Sequence, residues 1–528
     1  MKIVIKANKR YEIFLLLLVA AIAIFITFFS ALDHFFLNWD DNIYVTENPL
    51  IKDLSWQNTK EIFSSFVSGN YHPIPLLSYS LEYHFIKSDP FYYHLNNLTL
   101  HIINFLLVYF LIYKLDNNIF TAFFTALLFA IHPLKVEPVA WISSRKDLFY
   151  GLFIICSMLF YLNYSQKKRL EFYLLSIVFF ILSLLSKAMA LAFPFVLLLF
   201  DFYSGRKITK KEILEKIPFI VVAILFGIIA LFARESYVSV LHENEFTFSD
   251  SIFLGTYRII FYYFLRTFLL GNVDWIFPYP HIEYPSFYLI FSSIVITISL
   301  FIIVLFSLKK TKRIAFGLCF FFLFIAPVLK TPILGFTADR FSYIPSIGIS
   351  FLVANFFSYL INKIPKANYI SKLLTFLPLL SIILFCFYTS WHKTKFWKSD
   401  TILWGYLLKH YPNFYMPYYQ RGMAYMSDKE IDLAVNDFNK AQLLNPNYAE
   451  IYHYRGNAFM LQGKYNLAIN DFNSALKLNP KLIVTYNNLG EAYYNLGILE
   501  KACQSFNKSC DLGNCVNLEW AQSKNICK

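Results

Sequence analysis

Two adjacent carboxylates, Asp40 and Asp41, follow Trp39 just past the first long apolar segment, in Leu37-Asn38-Trp39-Asp40-Asp41-Asn42. An acid pair where a membrane span re-emerges into water can take a proton from an acceptor hydroxyl; a solvated acidic turn is the plain alternative. Other polar residues stand out against apolar surroundings: His72-Pro73, His132-Pro133 with Glu137, Arg145-Lys146-Asp147, Lys187, Asp274 near Pro278, and Asp339-Arg340. A cation at a membrane boundary is costly unless it snorkels to water or meets an anion. Taken singly, each of these cations reads as an interfacial anchor. Two or three of them beside a carboxylate pair suit one chemistry, in which the cations clamp a lipid-borne phosphate and a carboxylate serves as base.

The elements that must position these residues are membrane spans. Mean hydropathy is +0.48, and 57% hydrophobic against 15% charged residues exclude an ordinary soluble protein. Apolar runs long enough to cross a bilayer fall at about 11–31, 93–113, 119–133, 147–164, 171–186, 188–203, 217–234, 286–308, 314–330, 342–362 and 370–391, eleven in all. The net charge is +13, of which 412–528 holds 11 Lys/Arg against 10 Asp/Glu, so +12 lies in the membrane part. That excess clusters in short loops: Lys2/Lys6/Lys9/Arg10, Lys167-Lys168-Arg169, Arg206-Lys207 with Lys210-Lys211, Lys309-Lys310 with Lys312-Arg313, and Lys363/Lys366. Positive loops mark the cytoplasmic side, so basicity here is a topology signal and not a nucleic-acid footprint. Threading eleven spans from a cytoplasmic N-terminus puts these clusters inside. It puts the unusual polar residues, and everything after 391, outside. Residues 252–270 carry Arg258 and Arg266 and read as an interfacial or re-entrant helix.

The C-terminal part is soluble and periodic. At a spacing of 34 residues Gly422, Gly456 and Gly490 recur, with Ala434, Ala468 and Ala502, and Phe438, Phe472 and Phe506. This is the tetratricopeptide pattern of paired helices, here three repeats over 415–528 with a capping helix at 515–527. Such arrays bind peptides or partner proteins in a groove; a packing spacer is the alternative. The last repeat and cap hold Cys503, Cys510, Cys515 and Cys527, an even number that predicts up to two disulfides in an extracytoplasmic region; zinc fits less well without a close Cys pair. A linker at 392–414 joins the domains. Its aromatic and basic start, Trp391 to Lys398, is expected on the membrane surface, and its stripe Ile402-Leu403-Trp404 with Leu407-Leu408 is expected to pack on the first repeat.

In these motifs and their order the chain resembles the GT-C superfamily of polytopic glycosyltransferases, closest to the transmembrane-and-tetratricopeptide-repeat O-mannosyltransferases and their bacterial relatives. The matching stretches are Trp39-Asp40-Asp41, Tyr71-His72-Pro73-Ile74-Pro75, Tyr93-His94-Leu95-Asn96-Asn97, His132-Pro133 through Glu137 to Arg145-Lys146-Asp147, Ser186-Lys187, and Asp339-Arg340-Phe341-Ser342-Tyr343. The resemblance implies an all-α GT-C-like bundle over 1–391 that moves a sugar, mannose among the candidates, from a polyprenyl-phosphate donor. It implies inverting transfer with Asp40 or Asp41 as base, Lys187 and Arg340 as phosphate contacts, and Arg145 or Lys146 sharing that role. Trp39, His72, His132, Glu137, Asp147 and Asp339 are further pocket candidates, with Trp39 offering a face to a sugar. Some members of that superfamily use a divalent metal and others do not; one acidic pair with no second ligand set favours no metal, and no other cofactor is implied. The implied partners are the lipid-linked sugar, the bilayer, and an acceptor polypeptide or envelope glycan. A Phe-, Ile-, Lys- and Asn-rich composition points to an AT-rich bacterium, hence an inner-membrane protein with periplasmic repeats. A non-catalytic scaffold for envelope assembly, or a polysaccharide ligase or polymerase, are the alternative functions.

Overall fold

A computed structural model describes residues 2–238, 248–269, 286–330, 338–365 and 368–527. Asp274, Pro278 and Lys366 lie outside the described residues. Among the described residues the chain is all α, with one isolated bridge between Val67 and Asn70 in place of any sheet. It parts into two units, 1–398 and 399–528. The division falls inside the expected 392–414 linker because the helix Tyr369–Thr394 runs on past 391, whereas Asp400–His410 buries Leu403, Trp404, Leu407 and Leu408 within the repeat unit.

Among the described residues of the first unit seven helices are long and apolar enough to cross a membrane, and eight if the bent pair Ile119–Ile131 and Pro133–Ala140 is one broken span. The protein is thus a multi-pass membrane protein, and among the described residues seven or eight of the eleven expected runs are full-length apolar helices. The difference has local causes. The run at 119–133 stops at Ile131, where His132 turns extended ahead of Pro133, and the chain bends by 58°; a proline disfavours helix for the residue before it. The hairpin 171–203 is made of two shorter helices, Leu170–Ser186 and Phe193–Tyr203, with Lys187 extended and a 3-10 turn at Ala188–Ala192 between them. The run at 342–362 becomes the helix Ser346–Lys363, which crosses Lys312–Ile325 so closely that a Cβ on Gly317 would lie 2.8 Å from the Gly348 carbonyl oxygen.

These breaks bring polar residues together at helix ends. The buried Lys135, in the turn after His132, donates to the Ser342 and Tyr343 carbonyls (3.1 and 2.9 Å) and to Ser346 Oγ (2.6 Å). Tyr343 Oη in turn lies 2.8 Å from His101 Nδ1 and accepts from Asn104 Nδ2 (3.0 Å). The Asp339–Ser342 turn is therefore pinned to the helices on either side of it. The stretch Trp141-Ile142 is held in the same way, its carbonyls accepting from Asn97 Nδ2 (3.2 Å) and Tyr79 Oη (2.7 Å).

The second unit contains the helix pairs Tyr415–Ser427 with Ile431–Leu444, Ala449–Leu461 with Tyr465–Leu478, and Ile483–Asn495 with Leu499–Asp511, then Val516–Ser523. Each repeat glycine exists because a phenylalanine ring occupies the place of its side chain. A Cβ would lie 2.8 Å from Phe438 at Gly422 and 2.6 Å from Phe472 at Gly456, and Gly490 meets Phe506 likewise. Arg421 and Arg455 tie the first two pairs to Asp437 and Asp471 (2.7 Å). In the third repeat Leu489 and Ser505 stand at those positions, and the terminus is closed by the disulfides Cys503–Cys527 and Cys510–Cys515. Gly456→Ala is expected to lower the unfolding free energy of the repeats by about 1–3 kcal/mol, since the ring beneath it must shift; chemical denaturation followed by circular dichroism measures the loss.

Candidate active site

Asp40 and Asp41 are neighbours in sequence and different in environment. Asp41 is fully buried. Its Oδ2 accepts from Leu37 N (2.9 Å), and its Oδ1 accepts from Ser143 N (2.9 Å) and the Ser143 hydroxyl. It therefore staples the first polar loop to the start of the helix at Arg145. Asp40 points away from that staple, with its side chain 25% exposed and Oδ2 3.5 Å from Lys146 Nζ. A carboxylate that is reachable and bound to a single cation can accept a proton from a substrate, whereas Asp41 has no exposed surface and lies out of a substrate's reach.

Around Asp40 stands a set of cations, each matched to its own acid. Lys187 Nζ lies 2.5 Å from Asp147 Oδ1. Arg340 pairs with Glu137 through its guanidinium, and its backbone N–H donates to the other Glu137 oxygen at 3.0 Å. Lys146, Lys187 and Arg340 lie within electrostatic reach of one another and of Asp147. Lys146 also sits 4.6 Å above the Tyr44 ring. His72, buried at the start of Pro73–Ile86, faces Lys146 and Lys187; burial first, then those two charges, keep its imidazole well below its ordinary pKa, and it stays neutral. Its Nδ1 has no hydrogen-bond partner among the described residues, nor does the buried Nε1 of Trp141.

Other candidates are turned to different uses. Arg145 is buried, with Nε on Asn97 Oδ1 (2.7 Å), Nη2 on the Tyr93 carbonyl (2.8 Å) and Nη1 on Glu82 (2.5 Å), so its donors are committed to protein acceptors. His132 caps its own turn: Nδ1 accepts from Leu134 N (3.2 Å) and Nε2 faces the Thr267 carbonyl (3.3 Å). Asp339 holds Arg266 (3.1 Å), which brings one of the two arginines of the 252–270 segment beside the site. Trp39 stacks on Trp141 with ring centroids 5.0 Å apart. Among the described residues no three His, Cys, Asp or Glu side chains converge as a metal site.

Sequence reasoning missed Glu82, Tyr44, Ser143, Trp141 and Lys135. Lys135 carried a usable signal, a lysine beside an apolar bend. The others are ordinary residues whose importance comes from what they touch.

Fold and site together define a multi-pass, all-α membrane protein with tetratricopeptide repeats at its C-terminal end and a cluster of paired charges between its helices. Family comparison agrees on the repeats: the TPR repeat family matches residues 422–463 and 456–497, and the Tetratricopeptide repeat family matches 483–512. The chain's homologues are named protein O-mannosyl-transferases. TMTC1 of Mus musculus is 36% identical over 106 residues, 19% of this chain and 11% of the relative. F38B6.6 of Caenorhabditis elegans is 24% identical over 390 residues, 70% of this chain and 54% of the relative. The chain thus matches about a tenth of the length of the first and about half of the second. Among solved structures, the crystal structure of MamA is 19% identical and covers 33% of this chain and 91% of its own, at a TM-score of 0.21, too low to carry an argument.

Burial pushes Asp41 up to about 7 from its ordinary 3.8, against the three donors that favour its charge. A folded value above the unfolded one means that this group's contribution to stability is complete below about pH 4 and is lost as pH rises through about 7. Thermal unfolding between pH 4 and 8 is expected to show a downward slope that flattens in Asp41→Asn; parallel curves would contradict the assignment.

Proposed function

We propose that the protein is a GT-C type glycosyltransferase that moves a sugar, with mannose favoured by its homologues' names, from a polyprenyl-phosphate donor to a hydroxyl of a protein acceptor. The observation that carries the reading is Asp40: a partly exposed carboxylate whose ion-pair partner, Lys146, stands in a ring of cations with Lys187 and Arg340. In the proposed step the acceptor oxygen attacks C1 of the sugar from the face opposite the phosphate and gives its proton to Asp40. The bond between C1 and the phosphate oxygen breaks, and the electron pair leaves on the polyprenyl phosphate. Lys187 and Arg340 neutralise that leaving group, shifting part of their charge from Asp147 and Glu137 to the phosphate. Lys146 bridges base and phosphate. His72 Nδ1 and Trp141 Nε1, buried and unsatisfied, are two atoms that substrate oxygens would complete.

Arg145, which the resemblance also offers for the phosphate, acts in this reading as a brace for the helix that carries Lys146 and Asp147. The donor's membrane anchor fits a site formed at the ends of apolar helices. Two disulfides in the terminal repeat support an oxidising, extracytoplasmic location for that unit, with the bundle in the inner membrane and the N-terminus cytoplasmic. The repeats select the polypeptide acceptor, and tethering raises its effective concentration.

Asp40→Asn removes the base with little change of shape, and transfer from a synthetic polyprenyl-phosphate sugar is expected to fall by about 10²-fold or more while the protein purifies normally. Undiminished transfer would reject the assignment. Deleting 399–528 is expected to abolish transfer to protein yet leave slow hydrolysis of the lipid-linked donor, and unchanged protein glycosylation would remove the repeats from acceptor selection.

A further inference from the structure

Three tryptophans far apart in sequence form one column in the first unit. Trp39 stacks on Trp141 (centroids 5.0 Å, planes at 24°), and Trp141 stacks on Trp397 (6.0 Å, 30°). Trp141 and Trp397 are both essentially buried. The middle ring is also where two site cations rest: Arg340 Cζ lies 5.0 Å and Lys146 Nζ 5.8 Å from the Trp141 centroid. The far end of the column is tied down by its neighbour. The Lys398 carbonyl accepts from Phe35 N (3.0 Å), and Lys398 Nζ reaches Asp33 (2.5 Å), at the start of the loop that carries Trp39 and Asp40. The stretch 391–398 is therefore not a surface strip at its end, because Trp397 is drawn inward by its stack.

We propose that Trp397 is a positioning residue of the transfer site, acting through Trp141 on Arg340, Lys146 and the Trp39-Asp40 loop. The inference rests on the glycosyltransferase reading. A guanidinium held by one carboxylate alone can swing about it; against an indole ring that is itself stacked on a second indole, the guanidinium has a defined place. When phosphate draws Arg340 partly away from Glu137, the indole contact is what keeps the cation aimed. Tryptophan suits this task because its large ring is rigid and has few rotamers to freeze. Removing Trp397 leaves Trp141 without one of its two stacking neighbours, and the ring, the two cations and the base loop lose a common reference.

A purely structural tryptophan makes a different prediction: its loss reduces the yield or melting temperature of the protein and leaves the kinetics of each folded molecule alone. Purified full-length protein carrying W397L, W397F or D40N separates the cases, with donor KM and kcat measured on a synthetic polyprenyl-phosphate sugar and thermal unfolding measured alongside. W397L is expected to raise donor KM about tenfold, since ångström-scale displacement of a positioned group costs one to two orders of magnitude, and W397F to restore it to within about twofold because a flat ring returns. Where W397L does not fold, W397M keeps buried volume on a flexible chain and carries the same expectation. Wild-type KM in the folded Leu or Met variant, or a Phe variant no better than Leu, overturns the proposal. An active D40N overturns instead the glycosyltransferase reading on which it rests, so the two failures are distinguishable.

Discussion

Removing a charge from water costs several kcal/mol per ion unless a partner is supplied at close range, and that constraint organises the polar centre of the first unit. Five cations and five carboxylates are matched there one to one: Arg145 with Glu82, Lys146 with Asp40, Lys187 with Asp147, Arg340 with Glu137 and Arg266 with Asp339. The partners come from chain segments as much as 203 residues apart, so the pairs are also tertiary staples. Breaking any but the part-exposed Lys146–Asp40 pair would leave an unpaired buried charge, which destabilises far more than the intact pair stabilises. This is why the chain interrupts its apolar helices at His132-Pro133, at Lys187 and before Ser346: each interruption delivers a charged or capping group to the shared centre.

A centre balanced in this way has little net attraction for a distant anion, and the proposed donor would be held by exchange. In the proposed reaction a phosphate would offer Lys187 and Arg340 charge-assisted acceptors like those of Asp147 and Glu137, so the rearrangement needed would be small. Asp40 is the member of the set with the loosest partner, at 3.5 Å from Lys146, and the one whose side chain is most exposed. The adjoining Asp41 has the opposite character, with its oxygens spent on Ser143 and Leu37. One residue of displacement along a turn divides an acid pair into a reachable group and a structural one.

Much of this was legible in the sequence, for physical reasons that differ by region. The repeats were readable because a 34-residue period of glycine facing phenylalanine tolerates little substitution, and the pairs Gly422 with Phe438 and Gly456 with Phe472 meet as the pattern requires. The polar centre was readable as a set, since Lys187, Arg340 and Asp40-Asp41 are conspicuous amid apolar residues. Individual roles were not. Arg145 resembles Lys146 in sequence and differs only because Glu82, Asn97 and Tyr93 happen to face it. Neither Ser143 nor Trp141 has a local pattern that would announce it. Where a span shortens or bends was not readable, because hydropathy sees apolar length and not the turn at Ala188–Ala192 or the bend after Ile131. Four cysteines signalled disulfides, but only the fold pairs Cys503 with Cys527 and Cys510 with Cys515.

The central claim is that this paired-charge centre transfers a sugar from a lipid carrier to protein. Mass spectrometry of envelope glycopeptides from a wild-type strain and a strain lacking the gene tests it most directly. The account predicts serine or threonine peptides carrying a hexose in the wild type, absent in the deletion and restored by the intact gene. Identical glycopeptide profiles in the two strains would contradict it.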